Sequence, residues 1–338
     1  MMAGSVSEAA DATRPGRRWS RIDLRAVAPF VALLFLLVLG ALSSDRFLTV
    51  GNLLNVATQS AFIAIIAVGA TFVITAGGLD LSVGSMVAFV ASLLILFLNT
   101  GALGSPALFL AVTVLLSFAV GGFCGLGNGL IVTKGGIEPF IATLGTMGIF
   151  RGLTTWLSQG GAISLHSMDL QNLCRPVYFG TVIGIPVPII MIFIVAGIGA
   201  FLLNRTGFGR HVAAVGSNED VARYSGIKVS RVRIVTYILQ GLCVAIAVIL
   251  YVPRLGSTTA TTGIMWELQA ITAVIIGGTA LTGGVGRIWG SVCGAFLLEA
   301  VGNIMILSNY ASEYLIGAIQ GTIIIAAMLV QRSLVRKS

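Results

Sequence analysis

An aspartate stands between two apolar runs with hardly any polar spacer, in Gly77-Gly78-Leu79-Asp80-Leu81-Ser82-Val83-Gly84. A carboxylate so placed must pair, reach water or line a cavity, because an unpaired charge in hydrocarbon is costly. Two readings are open: Asp80 caps the helix that begins at Ser82 and Val83, or it takes part in solute passage. Glu299 falls near the middle of a later apolar run and Arg151 lies within another. Ionisable groups at that depth are candidates for translocation or gating. A proton relay would need a partner at helical spacing from Glu299, and no carboxylate, histidine or lysine is so placed. Arg151 then either pairs with Glu299 or snorkels toward the membrane edge.

Other chemistries lack their residues. The cysteines Cys124, Cys174, Cys243 and Cys293 form no CxxC and no Cys/His group, which indicates neither a metal site nor a disulfide framework. The chain has no GxxxxGK[ST] phosphate loop, so it has no means of cradling ATP itself. It also lacks a GxSxG elbow, an HExxH helix and a second aspartate motif to partner Asp80. These absences point away from an enzyme.

Composition says what must position these residues. Of 338 residues, 57% are hydrophobic and 9% charged, against roughly a quarter charged in a soluble domain. The 43 glycines suit close backbone packing between membrane helices. Apolar runs near 27–42, 53–76, 83–98, 107–133, 139–157, 186–203, 232–253, 268–283, 288–308 and 314–330 predict an all-α polytopic membrane protein of about ten spans. Basic residues collect in three places: Arg14 to Arg25, the connection from Arg205 to Arg233, and Arg332 to Lys337. With Lys134 and Arg287, they put both termini in the cytoplasm. The net charge of +8 thus reports topology rather than a nucleic-acid partner. Residues 1–26 read as a disordered cytoplasmic tail, 27–330 as the membrane domain and 331–338 as a second tail. A signal peptide ending near Gly40-Ala41-Leu42-Ser43-Ser44 is the rival reading of the first run.

The polar connection 204–233 contains Ser217-Asn218-Glu219-Asp220-Val221-Ala222-Arg223-Tyr224-Ser225-Gly226, which reads as a short helix. Ser217 is its expected cap, Asp220 completes the capping-box spacing and Gly226 is its left-handed terminator. Such a helix either docks a partner or is merely solvated. Gly121, Gly125 and Gly129 share one helix face, as do Gly286, Gly290 and Gly294, giving seams for packing within the bundle or between subunits. Residues 77–84 also echo 277–284, a pattern in keeping with an internal repeat.

Taken in order, several motifs resemble the permease subunits of bacterial ABC importers for monosaccharides of the ribose, xylose, arabinose and allose type. They are residues 77–84, Gly127-Asn128-Gly129, Pro139 to Thr146, Phe150-Arg151-Gly152, Gly207-Phe208-Gly209-Arg210, Val215 to Glu219, Tyr224 to Ile227, Glu267 to Ile271 and Gly277 to Ile288. The resemblance covers about Asn52 to Val330. It implies a permease in the bacterial inner membrane, with two copies forming the pathway. A periplasmic binding protein would deliver sugar, and ATP and magnesium would sit on a separate ATP-binding subunit, leaving this chain with lipid but no cofactor. Residues 218–225 become the helix that fits the ATPase, with Arg210, Ser217, Asn218, Glu219, Asp220, Ala222 and Gly226 as coupling residues. Asp80, Arg151, Glu267 and Glu299 are the candidates for translocation or gating. The segments Ser158 to Val187 and Arg254 to Glu267 would face the binding protein. Gln269 and Glu299 depart from the pattern, the first replacing an acid of some relatives and the second a small residue.

Overall fold

In the computed structural model the described residues are 24–101, 106–308 and a few positions between 315 and 325. Residues 1–23 of the predicted tail 1–26, the predicted tail 331–338 and most of the tenth predicted span lie outside them, while residues 24–26 begin the first helix instead of ending a tail. The first helix, α1 (Leu24–Ser43), runs along the last long one, α14 (Ile288–Ser308). Their contact includes a hydrogen bond from Cys293 Sγ to the Pro29 carbonyl at 3.3 Å.

The second predicted span is two helices, α2 (Val50–Gln59) and α3 (Ala61–Thr75), bent by 44° at Ser60. Every residue of α3 but Ile63 is buried, so this helix is walled by protein on all sides. Packed on it are α12 (Val229–Leu255), α13 (Trp266–Ile276), α14 and α9 (Val187–Arg205). The remaining long helices, α4 (Val83–Asn99), α5 (Pro106–Thr133) and α6 (Pro139–Ser158), complete the bundle. Four described helices are long and apolar enough to cross a bilayer alone, and the bent α2–α3 pair makes a fifth.

Glycine decides the closest contacts. A Cβ on Gly121 or Gly125 would overlap the carbonyls of Gly241 or Tyr237 on α12, and one on Gly129 would lie 2.9 Å from Ile234 Cα. A Cβ on Gly290 or Gly294 would overlap the carbonyls of Gly277 and Ala273 at the end of α13. Both glycine faces therefore serve packing within one chain.

The eighth predicted span is shorter than the apolar run suggested, because α13 stops at Ile276 and the next residues turn back. Between α6 and α9 lie β1 (Ala162–Ser164), α7 (Met168–Cys174), α8 (Pro176–Phe179) and the small hairpin β2 (Thr181–Val182) with β3 (Ile185–Pro186). After α12, β4 (Ser257–Thr259) pairs antiparallel with β1, Ala162 opposite Thr259. The two segments expected to face a binding protein are thus joined in one ladder. The predicted loop 204–233 holds two helices, α10 (Gly207–Ser217) and α11 (Glu219–Tyr224), and α12 begins within it.

Candidate functional site

The break between α3 and α4 is a structured turn. Gly77, at φ +77°, ends α3: its N–H donates to the Ile74 carbonyl at 2.9 Å and that of Gly78 to the Val73 carbonyl at 2.9 Å. This is the glycine-terminated cap that closes a helix end and satisfies its orphan carbonyls. The end of α13 repeats it, with Gly278 at φ +84° donating to Ile275 at 2.9 Å and Thr279 to Val274 at 3.2 Å. The sequence echo is therefore also an echo in backbone, shifted by one residue: Gly77 corresponds to Gly278, not to Gly277.

Asp80 is buried in this turn. Its Oδ1 accepts from the Ser82 N–H at 2.9 Å and from Ser82 Oγ at 2.7 Å, while Asn128 Nδ2 on α5 lies 3.3 Å from Oδ2 and donates to Ser82 Oγ at 2.8 Å. The adjacent Leu79 carbonyl accepts from Tyr237 Oη at 3.0 Å and from Thr143 Oγ1 at 3.4 Å. Four elements hold the turn: α4 through Ser82, α5, α6 and α12. Asp80 thus fastens the turn that leads into α4. The partner missed by sequence reasoning is Asn128, although its motif, a polar residue between two glycines in an apolar run, was the available signal.

Arg151, on α6, pairs with a loop rather than with Glu299. Its Nη1 donates to the carbonyls of Ala260 and Thr262, the latter at 2.6 Å, and its guanidinium acts electrostatically on Glu267. Glu267, in the first turn of α13, sets Oε2 against Gly84 in the first turn of α4, where a Cβ would overlap it. Among the described residues no hydrogen-bond donor reaches that oxygen. A carboxylate at a helix N-terminus is favoured by the local partial charge. Glu299 lies on α14, half-buried, and the charge acting on it is that of Arg254. The guanidinium of Arg254 stacks over Phe62 and Tyr178 at 5.3 and 5.6 Å. Burial holds the Tyr178 phenol above its ordinary range, with Arg254 pulling the other way. So Arg151 and Glu267 share one cluster, while Asp80 and Glu299 each stand in their own surroundings.

The other end of the bundle carries α10 and α11. Asn218, not Ser217, caps α11: its side chain accepts from the Val221 N–H at 3.0 Å, and Ser217 is the last residue of α10. The chain already bends into extended backbone at Asn218, so the capping position moves one residue on and Asp220 no longer sits at capping-box spacing. Glu219 pairs with Arg223 at 2.6 Å and with Arg233 of α12 at 2.8 Å. Ala222 is buried under the helix, and Gly226 follows its end at φ +82°, the left-handed terminator expected. Val221 and Tyr224 are exposed, Tyr224 at 91%. Arg210 and Asp220 are also exposed.

A buried, glycine-seamed helical bundle with two broken helices and a capped surface helix at one end is the architecture of a multi-pass membrane protein. Residues 52–328 match the family described as "Branched-chain amino acid transport system / permease component". Among similar proteins are the ribose import permease protein of Bacillus subtilis, 38% identical over 91% of this chain and 93% of the relative, and that of Haemophilus influenzae, 37% identical over 84% and 86%. The D-allose transport system permease protein of Escherichia coli is 35% identical over 90% of each. No solved structure matches. The chain belongs to this family of transport-system permease components and is a multi-pass protein of the inner membrane.

Proposed function

We propose that this chain is the membrane-spanning permease of an ATP-driven importer for a monosaccharide or related small polyol. The observation that carries the reading is likeness over nearly the whole chain to permeases named for ribose import, D-allose transport and fructose import. Sugar arrives on a periplasmic binding protein, two copies of the chain form the pathway, and ATP with magnesium is bound and hydrolysed on a separate subunit. About ten spans, with both termini in the cytoplasm, put α10 and α11 on the ATPase side and the β1–β4 ladder on the periplasmic side. A short helix with a buried Ala222 and an exposed Val221 and Tyr224 suits insertion into a cleft of the ATPase. A neutral polyhydroxyl solute needs weak polar contacts rather than ion pairs, in keeping with the hydroxyl-rich segment Ser257 to Thr262 beside Arg151 and Glu267.

Labelled-sugar uptake into vesicles carrying this chain, its ATPase and its binding protein tests the reading. The expected result is uptake that requires ATP and all three components, lost in Gly226→Asp while that variant still inserts. Uptake driven by an ion gradient with this chain alone would overturn it in favour of a carrier coupled through Asp80 or Glu299.

A further inference from the structure

Three backbone segments from distant parts of the sequence meet one residue before the α10–α11 junction. The Gly284 N–H, in the loop after α13, donates to the carbonyl of Thr75, the last residue of α3, at 2.9 Å. Gly216, the penultimate residue of α10, lies against that hydrogen bond: a Cβ there would overlap the Thr75 oxygen and lie 2.6 Å from Gly284 N. The contact is close from the other side as well. A Cβ on Gly283 would sit 2.6 Å from the Gly216 carbonyl oxygen, and one on Gly284 would overlap Ser217 Oγ. Gly77, which ends α3, would direct its Cβ to 3.8 Å from Gly216 Cα. Two residues beyond Gly216, Asn218 caps α11.

From this crossing we infer that Gly216 is a positioning residue for coupling, through which α11 displaces both membrane turns together, the one after α3 and the one after α13. The inference rests on the importer reading above. Its physical basis is that backbone in direct contact has no side-chain rotamer to absorb a shift, and close-packed interiors transmit displacement rather than yield to it. The turn after α3 carries Asp80, and α3 is tied further to α14 by the Thr71 Oγ1 and Ser291 Oγ contact at 2.7 Å. A push on α11 thus reaches the Asp80 turn and the second broken helix through one point.

The test uses the assembled transporter in vesicles and reads ATP hydrolysed per sugar imported. In Gly216→Ala the ATPase should still associate and hydrolyse ATP within about twofold of the native level, while uptake falls ~10-fold, a loss of the size expected for a severed coupling. Hydrolysis and uptake falling together at a constant ratio would mark a merely structural glycine and overturn the inference. A second variant avoids dependence on how Gly216→Ala folds. In Ser217→Cys/Gly284→Cys the two Cβ atoms are brought near disulfide spacing, since a Cβ on Gly284 stands 3.3 Å from that of Ser217. If the joint moves as a unit, oxidation leaves uptake within about twofold of the reduced protein. Uptake abolished by oxidation and restored by reductant would mean that the loop slides over α10, and would also overturn the inference. Absence of ATP-dependent uptake by the native assembly is a different result, which refutes the importer reading itself.

Discussion

Exchanging the two ends of the Asp80–Asn128 contact should cost less than the two single changes together. In the native turn Asp80 offers only acceptors, and it faces the Ser82 N–H, Ser82 Oγ and Asn128 Nδ2 at 2.7 to 3.4 Å. Asp80→Asn keeps an oxygen for Ser82 but turns an amide N–H toward the Asn128 amide, losing one buried hydrogen bond at about 1–3 kcal/mol. Asn128→Asp sets two carboxyl groups a little over 3 Å apart with no cation between them, which costs about as much or more. In Asp80→Asn/Asn128→Asp a donor again faces an acceptor. The double variant should then be more stable than the sum of the singles by ~1–2 kcal/mol, within the span of coupling energies typical of contacting residues. Thermal unfolding of the detergent-solubilised protein, followed by loss of the monodisperse species, reads the four corners of the cycle. Strict additivity would refute the contact between α5 and the turn as an energetic link.

Asn218→Ala should destabilise α11 by about 1 kcal/mol while Ser217→Ala leaves it within a few tenths, because only Asn218 accepts from the first turn. Hydrogen exchange at the amides of α11 would show roughly fivefold less protection in the first variant alone. Gly125→Ala should cost ~1–3 kcal/mol, since its Cβ would meet the Tyr237 carbonyl, whereas Gly127→Ala, with open space around it, should be neutral or slightly stabilising. Their unfolding temperatures test the pair. Gly226→Ala forces a side chain into left-handed backbone at about 1 kcal/mol, so its α11 should lose protection as that of Asn218→Ala does. Equal exchange in Gly226→Ala and the native chain would show that the terminator contributes nothing.

The all-α membrane class was legible because long apolar runs are dictated by the bilayer. Where the chain breaks was less so. Ser60 bends α2 against α3 inside a run read as one span, where Thr58-Gln59-Ser60 was the only local sign of a break, and hydropathy has no register for a change of direction. The end of α13 was placed seven residues late for the same reason: Leu281 and Ala280 are apolar, yet they follow a glycine cap packed on α14 and lie in a loop that Gly283 and Gly284 tie to α10 and α3. Spacing alone assigned the α11 cap to Ser217, since serine at capping-box distance from an acid looks the same whether or not the preceding residues are already helical. The charged residues were found but not their partners. Arg151 binds carbonyls of a loop more than a hundred residues later, and no local pattern records such a contact. The α5 glycine face was read correctly and meets α12 of the same chain, whereas Gly286 lies before α14 begins and meets Thr75 of α3, leaving Gly290 and Gly294 as the face packed on the end of α13.

The β1–β4 ladder has a bearing on how the protein is made. Ala162 to Ser164 cannot find Thr259 to Ser257 until α9 and α12 have both been threaded through the bilayer. Until then β1 waits with its pairing edge open, and the Arg151 side chain lacks the carbonyls of Ala260 and Thr262. This end of the bundle therefore closes only once the chain has been made past residue 259. Membrane quality control meets, in a chain stalled before residue 257, an unpaired strand and an arginine without its acceptors, two marks that the finished protein conceals.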